Sequence, residues 1–328
     1  MKHAVLIMAH KNKTQLIRLI KALACPHFDI FVHPDLNWKL SKEDLSDIEN
    51  SAENVCICSK RIHGILDNWS LPQIALNLID DVLNNEKSKD VDYSYFLLLS
   101  GQDYPIKSKK YILNFLKQQY PMPLIDADKY ENAHWIQTKF MLVRWMHRID
   151  AIHEKMKPGI LRKLCVAPYV LAEKFECKFY GTPYDRVSKF AIKLYGGSTW
   201  WILPHGVIDY LTELKTKIPR LIKEYKRTWT PDETFFQTIT MNSPFSKYLT
   251  AEYPPIYDTE PGSQPCMTYA NFITPTKSFR GHPHIITTED FDRIMAKKAL
   301  FARKFDINVD SKVLDMIDIR IKNEESNI

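Results

Sequence analysis

Ala4-Val5-Leu6-Ile7-Met8-Ala9-His10 is a run of six apolar residues that stops abruptly at a histidine. Unbroken apolarity over so short a length fits a strand buried on both faces, as in a parallel sheet covered by helices. The residues that follow repeat the theme. Lys13–Ala24 carries Leu16, Ile17, Leu19, Ile20 and Leu23 at helical spacing. Phe28–Val32 predicts a second strand, closed by His33-Pro34-Asp35, and after a short polar helix at Glu43–Asn50, Val55–Cys58 predicts a third. Ser70–Asn84 has the pattern of an amphipathic helix, with Ser70 as its N-cap and Pro72 in its first turn. Tyr95–Leu99 predicts a fourth strand running into Ser100-Gly101-Gln102-Asp103-Tyr104-Pro105. Strands alternating with helices over residues 1–125 predict an α/β fold with a mainly parallel central sheet flanked by helices. In such sheets ligands sit beyond the carboxyl ends of the strands, where His10, Asp35 and Asp103 fall.

Beyond residue 125 the pattern is less regular. Asp126–Tyr184 is rich in Trp, Tyr, Lys and Arg. Within it, Leu161–Phe179 mixes basic and apolar residues. One reading is a packed amphipathic helix broken at Pro168; the other is a membrane-surface patch serving a lipid-linked acceptor. Gly196–Leu203 predicts a turn into a strand, and helices are expected at Val207–Ile222, Thr230–Ile239, Thr287–Phe301 and Ser311–Lys322. Tyr253–Phe279, rich in Pro, Gly and Thr, predicts a long functional loop. No repeat or long linker divides the chain, so residues 1–328 are expected to form one domain.

Composition narrows the function classes. With 45% hydrophobic and 26% charged residues the chain is ordinary for a globular protein, and a net charge of +6 suits an anionic ligand or membrane surface. There is no basic–aromatic repeat and no paired Cys/His pattern, so no nucleic-acid partner is expected. Six irregularly spaced cysteines (Cys25, Cys56, Cys58, Cys165, Cys177 and Cys266) read as buried thiols rather than a disulfide framework. The apolar run at the start is too short for a signal peptide or a membrane span. A cytoplasmic enzyme is expected, with peripheral association at the inner face of the membrane left open.

Several stretches could carry chemistry. Thr230-Pro231-Asp232-Glu233 has the form of a capping box, in which Glu233 folds back on the Thr230 amide and does no chemistry. Its alternative is a carboxylate at a helix start that faces a cleft and takes a proton from an attacking hydroxyl. Asp126-Ala127-Asp128 matches an Asp-x-Asp metal site by letter, but it lies well beyond the strand end where a nucleotide would sit. His282-Pro283-His284 supplies two histidines without a third ligand. Lys304, in Leu300-Phe301-Ala302-Arg303-Lys304-Phe305-Asp306-Ile307-Asn308-Val309-Asp310, is by itself a charge beside a packed aromatic pair.

Taken in order, Ala4–His10, Thr230–Glu233 and Leu300–Asp310 resemble the core-2/I-branching β-1,6-N-acetylglucosaminyltransferase family, which includes the peptide O-xylosyltransferases. A bacterial member is expected, because the anchor, stem and disulfides of the animal Golgi relatives have no counterpart. The resemblance implies a GT-A-type fold, a single catalytic domain with its nucleotide-binding half at 1–125 and its acceptor and catalytic half at 126–328, and an inverting, metal-independent transfer from a UDP-sugar, with no cofactor. It implies GlcNAc as the favoured sugar and xylose as the second, moved to a hydroxyl of a glycan or lipid-linked glycan in surface polysaccharide synthesis. Glu233 then becomes the catalytic base, with Asp232 as fallback, following a Gly-Ser-x-x-aromatic strand here represented by Gly197-Ser198-Thr199-Trp200-Trp201. Lys304 matches the diphosphate-binding lysine. Its arginine partner falls at Arg280 with a one-residue shift from Gly281, or else at Lys277, and Arg303 is expected at the surface or behind the site.

On the nucleotide side the resemblance implies roles for Met8, His10, Asp35 and Asp103, the last either contacting the donor or orienting a loop. Trp200 and Tyr269 are implied on the acceptor side, Tyr269 with core packing as its alternative. Three rivals differ in class. A Rossmann dehydrogenase would need glycines where Ala9-His10-Lys11-Asn12-Lys13 stands. A metal-dependent glycosyltransferase would use Asp126 and Asp128, and a non-catalytic carbohydrate-binding protein would be indifferent to Glu233→Gln.

Overall fold

The computed structural model describes residues 1–132, 134–141, 145–249, 266–271 and 283–326. Strands Lys2–Ala9 (β1), Phe28–Pro34 (β2), Val55–Ile57 (β3) and Tyr93–Ser100 (β4) lie parallel in the order β3-β2-β1-β4. Shorter strands follow: Tyr104–Pro105 (β5), Leu124–Ile125 (β6), Asp128–Lys129 (β7), Tyr195–Gly196 (β8), Trp201–Pro204 (β9), Thr268–Ala270 (β10) and Phe301–Arg303 (β11). β9 and β6 extend the main sheet beside β4 in antiparallel sense, giving β3-β2-β1-β4-β9-β6. The sheet is thus mainly parallel, and both halves of the chain contribute to it. A second sheet, β10-β11-β5, ties the C-terminal region to the loop after β4.

Burial explains the unbroken apolar run of β1. Val5, Ile7 and Ala9 point into one core, while Ala4 and Leu6 point into the core on the opposite face. Helix Lys13–Leu23 (α1) covers the first face with Leu16, Leu19, Ile20 and Leu23. After Lys42–Glu49 (α2), helix Ser70–Lys89 (α3) covers the second with Ile74, Leu78, Ile79 and Val82. Lys109–Gln119 (α4) and the helix Lys312–Ser326 complete the first layer; helices His205–Lys217 and Phe235–Met241 complete the second. The register aligns Ala9 with Pro34 and Met8 with Ser100, so β1, β2 and β4 end on one edge.

The structure departs from the sequence reading in identifiable places. Residues 126–158, for which the sequence predicts no element, hold His134–Met141 (α5) and Met146–Lys155 (α6), whereas Leu161–Phe179 lies in a helix as one reading has it, Ile160–Tyr180 (α7). α7 runs through Pro168, which lies on its exposed side, where one lost backbone hydrogen bond is tolerated. Ser70 is the first helical residue rather than the N-cap, and its Oγ is engaged with the Ile65 backbone. Val207–Ile222 is divided into His205–Lys217 and Pro219–Tyr225, because Pro219 forces Ile218 out of the helical region. Thr287–Phe301 is not one helix: a short 3-10 turn and Phe291–Met295 precede β11. Among the described residues no disulfide forms, and Cys165 is exposed on α7 rather than buried. Most of Tyr253–Phe279 lies outside the described residues, as do Lys277, Arg280, Gly281 and His282.

Candidate active site

The shared strand edge opens into a cavity of about 840 Å³. Met8, His10 and Asp35 line it from the parallel strands; Trp200, Glu233, Arg303 and Lys304 line it from the second half of the chain.

Asp35 leaves β2 with its backbone N–H bonded to the Ala9 carbonyl (2.7 Å). Its carboxylate accepts hydrogen bonds from Asn37 N–H (2.7 Å) and Gly64 N–H (2.7 Å), and His63 Nδ1 lies 3.0 Å away. Burial opposes its charge, but those bonds outweigh it and hold the carboxyl below its usual range. His33 accepts from Ile62 N–H (3.0 Å) and, desolvated, titrates at about 4, so it stays neutral. Desolvation also lowers the pKa of His10, followed by the charge of Lys11, with Lys304 and Arg303 adding smaller effects and Asp35 opposing them.

Around Glu233 the capping box does not form. Thr230 adopts φ 46°, a region that β-branched residues rarely enter, and makes no side-chain cap bond. Its amide donates instead to the Asp67 carbonyl (3.2 Å). Only a single 3-10 turn, Pro231–Glu233, precedes the helix Phe235–Met241. The turn is held from the loop between β8 and β9. Gly197 N–H donates to the Glu233 carbonyl (2.8 Å), Thr199 Oγ1 donates to Asp232 Oδ2 (2.9 Å), and the Gln237 side-chain amide donates to the Ser198 carbonyl. Close approach requires the glycine, since a Cβ on Gly197 would lie 1.8 Å from the Asp126 carbonyl oxygen. Asp232 is almost fully buried in this lock. Glu233 is partly exposed on the wall of the cavity.

The basic side corrects the sequence reading of Arg303. It is buried, with its guanidinium 3.9 Å from the centroid of the Trp200 ring and Nε 3.4 Å from Asp103 Oδ1. The Arg303–Lys304 peptide is cis. Lys304 is brought to about 8 by burial first and by Arg303 next, with Lys11 adding and Asp103 opposing. Beneath them Gln15 clamps the segment: its amide donates to the Gly101 (3.1 Å) and Phe305 (2.9 Å) carbonyls and accepts from Ile307 N–H (3.0 Å). Lys11 closes the outside through Asp306 (2.7 Å).

Asp103 and Tyr269 do not line the cavity. Asp103 is fully buried, accepts from Ser100 N–H (2.8 Å) and holds Arg303, so burial turns it from a ligand contact into a support. Tyr269 is fully buried in β10 with Lys297 over its ring, and packs in the core. Asp126 and Asp128 also stand outside the wall. Asp126 accepts from Ser198 N–H (3.3 Å) and is pushed up to about 6 by burial, then by Asp128 and Glu233; Asp128 is exposed in β7. Among the described residues no three His, Cys, Asp or Glu side chains gather where they could hold a metal ion. Asp150, supplied by α6, lines the cavity without having been marked by the sequence, while Asp67 and Thr199 join it from the loop before α3 and from the Gly197–Trp201 stretch.

Residues 4–295 match the model of a family described as Core-2/I-Branching enzyme. Xylosyltransferase 1 of Homo sapiens is 24% identical over 328 residues, covering 96% of this chain and 30% of that protein. Xylosyltransferase 2 of Rattus norvegicus is 21% identical over 321 residues (97% and 33%). Xylosyltransferase oxt of Drosophila pseudoobscura pseudoobscura is 23% identical over 324 residues (92% and 31%). The chain thus spans about a third of the length of the curated relatives it matches.

Proposed function

Because the chain belongs to the core-2/I-branching enzyme family, we propose that it is an inverting, metal-independent glycosyltransferase that moves a sugar from a UDP-sugar to a hydroxyl of a glycan acceptor. The observation that carries the proposal is one cavity lined both by the Glu233 carboxylate and by two adjacent cations, Arg303 and Lys304. The carboxylate of Glu233 takes the proton of the acceptor hydroxyl. That oxygen attacks the anomeric carbon as the bond to the β-phosphate oxygen breaks. The departing diphosphate carries the electron pair, and Arg303 and Lys304 offset its growing charge. Arg303 comes pre-aimed by Asp103 and Trp200. Asp35 and His10, at the ends of β2 and β1, lie where the nucleoside half would rest.

GlcNAc is the first reading for the sugar. Xylose is the second, favoured by the names of the relatives. The acceptor class is a surface polysaccharide precursor or another lipid-linked glycan. UDP release from a panel of UDP-sugars with simple glycan acceptors, with and without EDTA, tests the proposal. Chelator-resistant turnover of one donor, with inverted anomeric configuration in the product, is expected. Turnover abolished by EDTA would move the chemistry to a metal-dependent mechanism, and UDP binding without turnover of any donor would leave a carbohydrate-binding protein.

A further inference from the structure

α7 presents to solvent the face that an ordinary surface helix would bury. Ile160, Leu161, Leu164, Leu171, Phe175 and Phe179 are each at least 60% exposed. At 100° per residue they fall within about a quarter to a third of the helix circumference. Phe175 and Phe179 are in mutual contact, ring centroids 4.3 Å apart. The opposite face is fixed to the protein: Glu176 is buried, accepts from Trp145 Nε1 (3.0 Å) and pairs with Arg227 (3.3 Å), while the Tyr169 ring lies tilted against Trp145, centroids 6.2 Å apart. The apolar face therefore cannot roll inward.

We propose that α7 seats the protein on an anionic lipid bilayer, lying in the plane of the interface with this stripe among the acyl chains. Charge selects the occupant. Lys163, Lys174 and Lys178 are exposed along one edge of the stripe, and Lys155 and Lys157 are exposed just ahead of it. Cations beside an outward apolar face match phosphate headgroups above acyl chains. A second copy of the chain would instead bring two rows of lysines together. α7 is too charged to cross the bilayer, and no described helix is long and apolar enough to do so. At 1.5 Å per residue it extends about 30 Å along the surface. α6, which packs against α7, supplies Asp150 to the cavity wall. If the proposed transferase activity holds, the cavity would thus stand close to the membrane, suited to a lipid-linked acceptor; the binding itself does not depend on that activity.

The experiment is vesicle flotation of the full chain with equimolar phosphatidylglycerol and phosphatidylcholine, and with phosphatidylcholine alone. Three proteins are compared: wild type, Leu164→Glu/Leu171→Glu/Phe175→Glu, and Lys163→Gln/Lys174→Gln/Lys178→Gln, each checked by circular dichroism. Wild type should float with the anionic vesicles and lose most of that binding in high salt. The glutamate variant should partition at least about tenfold more weakly. The glutamine variant, which keeps the apolar face and the fold, should lose its preference for anionic vesicles, and it decides the matter if the glutamate variant misfolds. Absence of flotation, or equal flotation of wild type and the glutamine variant on both vesicle types, would overturn the proposal. So would sedimentation showing a wild-type dimer that the glutamate variant dissociates, which would assign the face to a second copy.

Discussion

Lys304 should impose an alkaline limit on nucleotide binding well below that of an ordinary lysine. Burial and the adjoining guanidinium of Arg303 bring it to about 8, against about 10.4 for a lysine in water. In the proposed mechanism the charged form holds the diphosphate, so affinity should follow the protonated fraction of the free protein. With a midpoint near 8 that fraction falls about tenfold between pH 7 and pH 9, where an unperturbed lysine would lose only a few per cent. Calorimetric titration with UDP from pH 7 to 9.5 measures this directly. Lys304→Arg should flatten the limb, because a guanidinium stays charged throughout, although its geometry at the diphosphate differs. Lys304→Met should bind weakly at every pH. A wild-type profile flat to pH 9.5 would refute the shifted lysine. A limb that survives unchanged in Lys304→Arg would assign it to another group.

Trp200→Ala removes the ring over which Arg303 lies and should weaken UDP binding by about 1–2 kcal/mol, roughly tenfold, with Trp200→Phe retaining part of the effect by the same calorimetry. Asp103→Asn leaves Arg303 buried without its counter-charge; thermal denaturation should show a loss on the order of 3 kcal/mol, and a variant as stable as wild type would show that the pair is not structural. Gly197→Ala drives a Cβ against the Asp126 carbonyl and should cost about 1–3 kcal/mol together with most of the transfer activity, since the same residue fixes the Glu233 backbone.

How far the sequence could be read depends on the range of the forces involved. β1, β2 and β4 are legible because strands buried on both faces are dominated by apolar side chains, with His3, Asp29 and His33 as buried exceptions, and α1 because its buried residues recur at helical spacing. The placement of His10 and Asp35 at one edge follows from parallel topology alone. Thr230–Glu233 misleads as a capping box because the letters fit a local rule, while the backbone there is set by contacts from Asp67 and Gly197, distant in sequence. Arg303 looked peripheral because nothing local says that it will stack on Trp200 and meet Asp103. The same long-range packing buries Asp103 and Tyr269, deciding for the supporting role of the one and the core packing of the other, which the sequence offers only as alternatives. Pro168 suggests a break, but it stands on the exposed side of α7, which continues through it.

The central claim is that Glu233 acts as a base in a site whose nucleotide grip lies elsewhere. The most direct measurement sets the transfer rate of Glu233→Gln beside its affinity for UDP, under the donor and acceptor conditions that the wild type turns over. The account predicts a fall in kcat of at least about a hundredfold with UDP affinity unchanged. Wild-type turnover by the variant would contradict it.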